Sequence, residues 1–381
     1  AWIGGVGKLR KMPNGTELLI NGAPPEPGQL FKNEHLARVF ERIATVGKDG
    51  FYNGEIASKI AHVVQDLGGK LTMEDLSAHE SSFVDPVSIS YRAFDVHEIP
   101  PNGQGITALL ALNILNGFDL GTMDPSSHEY IHLLVESLRI AFADAGWFVA
   151  DPDFHDIPLG PLLSDEYAAE RRTLIDQGKT NLDIHHGEPV EGSDTVYLSV
   201  VDGKGNACSF INSNYMAFGT GIIPENCGFV LQNRGCNFSL EPGHPNRLEP
   251  KKRPYHTIIP AISTLDGELY ACFGVMGGFM QPQGHVQVFS RLVDHGQDPQ
   301  AALDAPRFCI EGGNPSGVLL LEESVSTKTA VALKTMGHET RMVSGMGRSV
   351  FGRGQIITRD PGTGVLWGGS DPRSDGCAIG L

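Results

Sequence analysis

Gly192–Ser193–Asp194–Thr195–Val196–Tyr197–Leu198–Ser199–Val200–Val201–Asp202 is the stretch on which the reading of the fold depends. An acidic residue and a threonine lead into a run of apolar and β-branched side chains, the composition of a strand. Two readings of Thr195 are open on local grounds. It can simply begin a strand, or its hydroxyl can be a nucleophile that backbone cleavage just ahead of it would free. Threonine suits a strand on its own account, so local sequence favours the plain strand and the choice rests on the remainder of the chain.

Downstream, strands dominate. Thr195 to Val201 and Ala207 to Asn212 are extended runs joined by Asp202–Gly203–Lys204–Gly205–Asn206, whose glycines fit a hairpin. Thr257 to Thr264 and Glu268 to Val275 form a second pair around Leu265–Asp266–Gly267. Met276–Gly277–Gly278–Phe279 follows, then an apolar helix from about His285 to Val293.

Upstream, helical spacing prevails. The first twenty-five residues read as a loop or hairpin running into the proline-rich Ala23 to Gly28. Glu34 to Ala44 has apolar residues at helical spacing with Asn33 as its cap, and a second helix starts at Glu55 and stops at Leu67–Gly68–Gly69. Thr72 with Asp75 resembles a capping box. Val87 to Tyr91 and Phe94 to Ile99 alternate like paired strands. Helices are then expected at Ile106 to Leu115, Ser127 to Ala145 and Ser164 to Gln177, and the polar run Thr180 to Ser193 reads as a mobile linker. Helices, hairpins and helices again predict an α+β arrangement of sheets covered by helices. No glycine pair has the G-x-G-x-x-G spacing of a doubly wound nucleotide fold.

With 381 residues, 40% hydrophobic and 19% charged, the chain can build a sizeable core in one large or two moderate domains. The 29 Lys and Arg against 45 Asp and Glu give a formal charge of −16, which disfavours nucleic acid and anionic membrane as partners. No stretch reaches the roughly 18 apolar residues of a spanning helix. The six cysteines follow Thr195 without a C-x-x-C pair, which favours buried free thiols over disulfides or zinc and, with them, a reducing compartment such as the cytoplasm. His185 and His186 are adjacent in a polar segment and read as solvated rather than metal-binding. Neither a metal nor an organic cofactor is expected. The chain opens with Ala1–Trp2 instead of methionine, as a fragment or a processed product would.

Several stretches in one order resemble the γ-glutamyltransferase family of N-terminal-nucleophile hydrolases. They are Phe51–Tyr52–Asn53–Gly54, Gly68 to Leu76, Thr195 to Asp202, Phe218–Gly219–Thr220–Gly221, Lys252–Arg253–Pro254, Gly277–Gly278, Ala305–Pro306–Arg307–Phe308 and Ser370–Asp371–Pro372–Arg373–Ser374. The chain is most similar to the family's glutathione hydrolase-like and cephalosporin acylase-like bacterial branch. The resemblance implies a four-layer αββα sandwich whose N-terminal part is incomplete here, because family members carry a large segment before the counterpart of Trp2. That segment includes the arginine that grips the substrate carboxylate, and no residue of this chain is assigned its role.

The resemblance also implies a proenzyme cut between Asp194 and Thr195. Residues 1–194 then correspond to a large subunit and residues 195–381 to a small one, the two products staying associated. Freed, the Thr195 α-amine, with a pKa near 7.7–8.0, can serve as general base for its own hydroxyl. Gly277 and Gly278 correspond to the oxyanion pair, and Ser213 to a hydroxyl that hydrogen-bonds the nucleophile. On the substrate side, Tyr215 stands for an asparagine, Arg234 for a glutamine, Asn237 for an acidic residue that binds an α-ammonium, and His256 and Thr257 for a serine pair that holds an α-carboxylate. Without the acidic residue the ammonium loses its countercharge. Hence a glutaryl or cephalosporin-type acyl amide fits at least as well as a γ-glutamyl, glutathione-type one. A truncated, unprocessed and catalytically silent relative is the competing expectation. Arg307, Arg373 and Asp371 are expected to tie loops together rather than to touch substrate.

Overall fold

The computed structural model of the protein describes residues 2–184 and 194–381, so the His185–His186 pair and most of the expected linker lie outside the described residues. Two compact units result, one of Ala1–Phe83 with Asn214–Asn233 and one of Val84–Ser213 with Arg234–Leu381. These units group residues by packing, whereas the division expected at Thr195 is one of processing.

The first unit is helical. Its opening residues form a helix, Trp2–Lys11, and a 3₁₀ turn, Gly15–Leu18, where the sequence predicts a loop. The cause is long-range packing. Leu9 is fully buried with Leu18, Leu19, Phe218 and Ile223, the Trp2 indole donates to the Leu18 carbonyl at 2.8 Å, and a Cβ on Gly5 would sit 2.3 Å from the Phe218 ring. Glycine inside this helix therefore admits a neighbouring ring at close range. Helices Glu34–Val46 and Gly54–Asp66 follow as expected, Asn33 accepting from the Leu36 N–H, and the capping box of Thr72 and Asp75 is formed.

The second unit holds the sheets. Strands β1 (Val87–Tyr91) and β2 (Phe94–Glu98) come first, then β3 (Asp194–Val201) and β4 (Ala207–Tyr215), whose last two residues belong to the first unit. After these come β5 (Ala261–Leu265), β6 (Glu268–Met276), β7 (Phe308–Ile310), β8 (Leu319–Glu322), β9 (Thr340–Val343), β10 (Arg353–Arg359) and β11 (Leu366–Ser370). The main sheet has the order β1-β2-β5-β6-β10-β11, while β3-β4 form a ribbon and β7-β8-β9 a small third sheet. In the main sheet β2 pairs with β5, Val96 opposite Ser263, so the sheet joins residues from both sides of Thr195.

Helices Gly105–Leu115, His128–Phe148 and Met280–Asp294 share one core with the main sheet, and every residue of the first is buried. The ribbon lies against the sheet as well. The Tyr197 ring covers Gly274, where a Cβ would be 2.5 Å from it, and the Ser199 hydroxyl donates to the Cys272 carbonyl at 3.2 Å. Alternate ribbon residues Val196, Leu198, Val200 and Phe210 point to the opposite, exposed face, as the two-residue period of a strand requires.

Three expectations are revised at element ends. Residues 257–260 make no strand, because side chains take their backbone groups: Gln104 donates to the Thr257 carbonyl at 2.7 Å and Gln281 accepts from Ile259 N–H at 3.1 Å. The helix expected from His285 starts at Met280 and carries Pro282 in its first turn, where a proline costs little. The helix capped by Ser164 stops at Arg172 rather than continuing to Gln177. All six cysteines are free thiols, yet only Cys227, Cys272 and Cys309 are buried; Cys208, Cys236 and Cys377 are exposed. No described helix is long and apolar enough to cross a membrane.

Candidate active site

Thr195 is the second residue of β3, preceded by Asp194 in an unbroken strand, and only 4% of its surface is exposed. Its hydroxyl donates to Ser213 Oγ on β4 at 3.0 Å, the hairpin having placed the two residues side by side across the ribbon. Ser213 is held in turn, its carbonyl accepting from the guanidinium of buried Arg234 at 3.0 Å. A threonine hydroxyl fixed in one orientation is what a nucleophile needs before a base removes its proton.

Gly277 and Gly278 follow β6 and precede the helix Met280–Asp294. Their φ values of 142° and 58° lie where side chains are strained, and a Cβ on Gly277 would meet Met280 Cβ at 2.9 Å. The turn is fixed by Gln104, which donates to the Gly278 carbonyl at 2.8 Å. Thr195 and Gly277 open into one cavity of about 640 Å³ whose wall is mixed, with the apolar Phe279, Met280, Ile310 and Val343 beside the charged Arg341, Glu311 and Arg353.

Comparison with known proteins decides what this arrangement belongs to. The family model of gamma-glutamyltranspeptidase matches residues 3–381. The chain belongs to the gamma-glutamyltranspeptidase family, whose members here are enzymes. It is 39% identical to the glutathione hydrolase-like YwrD proenzyme of Bacillus subtilis over 363 residues, covering 94% of this chain and 68% of that protein. It is 32% identical to the oxamate amidohydrolase proenzyme of Klebsiella pneumoniae, covering 98% of this chain and 70% of that one. Among solved structures, a cephalosporin acylase from Bacillus halodurans superposes with a TM-score of 0.88 at 42% identity, covering 98% of this chain and 68% of that one. The fold is thus the α+β, N-terminal-nucleophile sandwich, and the branch is the glutathione hydrolase-like and cephalosporin acylase-like one.

Within the gamma-glutamyltranspeptidase fold, several positions expected on the substrate side are engaged with the protein's own groups. Arg234 holds the Ser213 carbonyl. Asn237 donates to the Tyr255 carbonyl at 3.1 Å. Burial, with the Arg234 charge second, pushes the His256 imidazole down to about 3, so it is neutral. Its Nδ1 accepts from Ile258 N–H at 3.3 Å. Thr257 is fully buried, and its hydroxyl finds no hydrogen-bond partner among the described residues. Tyr215, at φ 74°, falls in the first unit. None of these five lines the cavity of Thr195. The residues that do, Phe279, Met280, Arg341 and Arg353 among them, escaped the sequence reading. Phe279, Met280 and Arg353 were signalled only by lying beside Gly277, Gly278, Gly352 and Gly354, and Arg341 by nothing local.

A second polar cluster lies apart from this cavity. His132, Glu136 and His338 are buried with potential ligand atoms within 4.8 Å of one another. Hydrogen bonds already engage these atoms. His132 contacts the Asp176 carbonyl at 2.7 Å and His338 Nε2 at 2.8 Å, while Glu136 accepts from the Thr180 hydroxyl at 2.6 Å and from Asn181 N–H at 2.8 Å. The expected linker therefore starts tethered, with Thr180 buried, before it leaves the described residues.

Proposed function

We propose that the protein is a self-processing amidohydrolase in which Thr195 is the nucleophile. The observation that carries this reading is the Thr195 hydroxyl, held by Ser213 at 3.0 Å and opening into the same cavity as Gly277. In processing, Thr195 Oγ attacks the Asp194 carbonyl, the peptide C–N bond breaks, and water hydrolyses the resulting ester to leave a free α-amine on Thr195. In turnover, that amine takes the hydroxyl proton as Oγ attacks the substrate amide carbonyl. The oxyanion is met by the glycine turn at 277–278. The C–N bond then breaks, the proton passes to the departing amine, and water releases the acid from the acyl-enzyme.

The two products stay together on this reading because each compact unit draws on both sides of the bond, as does the main sheet through its β2–β5 pairing. The substrate is an acyl amide. Glutaryl-type amides fit at least as well as γ-glutamyl ones, because Asn237 brings no charge for an α-ammonium and its amide is engaged with Tyr255. The relatives' names, glutathione hydrolase-like, oxamate amidohydrolase and acylase, lie within this class.

Intact-mass analysis tests the mechanism. Two polypeptides divided before Thr195 and turnover of an acyl anilide are expected, and Thr195→Ala should abolish both. A single uncut chain after prolonged incubation would speak for the silent relative, and activity surviving Thr195→Ala would end the mechanism.

A further inference from the structure

Buried and half-buried arginines of the second unit are held by carboxylates or by backbone carbonyls, Arg172 donating to the Ile114 carbonyl at 2.7 Å and Arg291 to the Pro125 carbonyl at 3.0 Å. Arg307 pairs with Asp371 at 2.7 Å, Arg373 with Glu322 and Arg171 with Asp144 at 2.8 Å. Arg341, at the cavity wall, pairs with Glu311 beside it. Arg353 departs from this pattern. It is half-buried, lines the cavity of Thr195, and its guanidinium has neither an ion pair nor a hydrogen bond among the described residues.

Its backbone is also unusually well fixed. Arg353 opens β10 directly opposite Met276, the residue before Gly277. On one side Gly352 has φ 73°, and a Cβ there would lie 2.4 Å from the Met276 carbonyl. On the other, Gly354 N–H donates to the buried carboxylate of Asp371 at 2.8 Å. A guanidinium on a clamped strand, lining the cavity of the candidate nucleophile and short of a countercharge, is organised to take one from a ligand.

We infer that Arg353 binds a carboxylate of the substrate, making this cavity selective for acidic amides. The inference rests on the reading of Thr195 as nucleophile and adds the specificity determinant to it. The carboxylate can come from the acyl part or from the leaving amine, and both present the same planar, bidentate partner to the guanidinium.

Substrate pairs distinguish the sources. Glutaryl-4-nitroanilide against pentanoyl-4-nitroanilide reports a carboxylate on the acyl side, and pentanoyl-4-aminobenzoate against pentanoyl-anilide reports one on the amine side. For one of the two pairs, Arg353→Met is expected to lower the acidic-to-neutral ratio of kcat/KM by about 10- to 100-fold, mostly through KM, with Arg353→Lys recovering part of it. A ratio unmoved in both pairs would overturn the assignment. Binding to the uncut Thr195→Ala chain supplies a readout that needs no turnover. Glutarate and 4-aminobenzoate should each be tried, and at least one should raise its thermal midpoint and fail to do so when Arg353→Met is added. Equal shifts, or none, with both proteins would count against Arg353. If no anilide is cleaved by any variant, the nucleophile reading fails while this binding comparison still decides the carboxylate site.

Discussion

At the residue scale, the orientation of the Thr195 hydroxyl depends on one neighbour. Ser213 Oγ accepts its proton at 3.0 Å, and Ser213 is itself located by Arg234 through the backbone carbonyl. Removing the acceptor leaves the hydroxyl to rotate, at a cost of about 1 kcal/mol for a neutral hydrogen bond. Ser213→Ala should therefore lower kcat about 5- to 10-fold and slow chain cleavage by a similar factor, whereas Ser213→Thr keeps an acceptor and should stay near wild type. Steady-state kinetics on processed enzyme and timed intact-mass spectra measure the two. If Ser213→Ala leaves both rates unchanged, the contact has no role in positioning the nucleophile.

At the scale of elements, the start of β10 is set by a cage of buried charges. Asp371 takes the Arg307 guanidinium on one oxygen at 2.7 Å and Arg373 on the other at 3.1 Å, and Arg373 also pairs with Glu322. Arg307 further donates to the Phe351 carbonyl at 3.0 Å and Asp371 accepts from Gly354 N–H, so the cage grips the chain on either side of Arg353. Asp371→Ala would leave two buried guanidiniums short of charge and should destabilise by about 3–5 kcal/mol, visible as a lowered thermal midpoint. A midpoint within a degree of wild type would contradict the cage. The tying role of Arg307, Asp371 and Arg373 was expected from the motifs that carry the family resemblance, whereas the β1–β2 hairpin, the Thr72 capping box and the helix after Ser127 were legible in their own caps and periodicity. The helix Trp2–Lys11 was not, because what stabilises it is Phe218, more than two hundred residues away in sequence. Nor was Arg353, whose position opposite Met276 is created by strand pairing. The nucleophile candidate could be read from motif order, and the walls of its cavity could not.

At the scale of the whole molecule, acid stability is governed partly by imidazoles that folding keeps neutral. Burial pushes both His256 and His338 down to about 3, the charge of Arg234 adding to the first and those of Arg139 and His132 to the second. An unfolded imidazole titrates near 6.5. Between about 6.5 and 3 the unfolded chain thus binds protons that the native one refuses, so their contribution to stability is complete above the unfolded value and is lost as pH falls. At up to about 1.4 kcal/mol per pH unit for each group, and half that slope at the unfolded value itself, the loss from pH 6.5 to 5 is about 3 kcal/mol for the pair. Glu98 acts in the opposite sense, because burial raises its carboxyl and the native state gains protons there on acidification, with His285 at 2.7 Å as the opposing influence. Relief of repulsion in a chain of formal charge −16 adds to that gain. A comparison of variants separates the terms, since Glu98 and the net charge are common to both proteins. The urea midpoint of wild type should fall between pH 7 and 5 more steeply than that of a His256→Asn, His338→Gln double variant, even though the variant starts lower at pH 7 for want of the His132–His338 contact. Parallel profiles would mean that neither imidazole is held neutral by the fold.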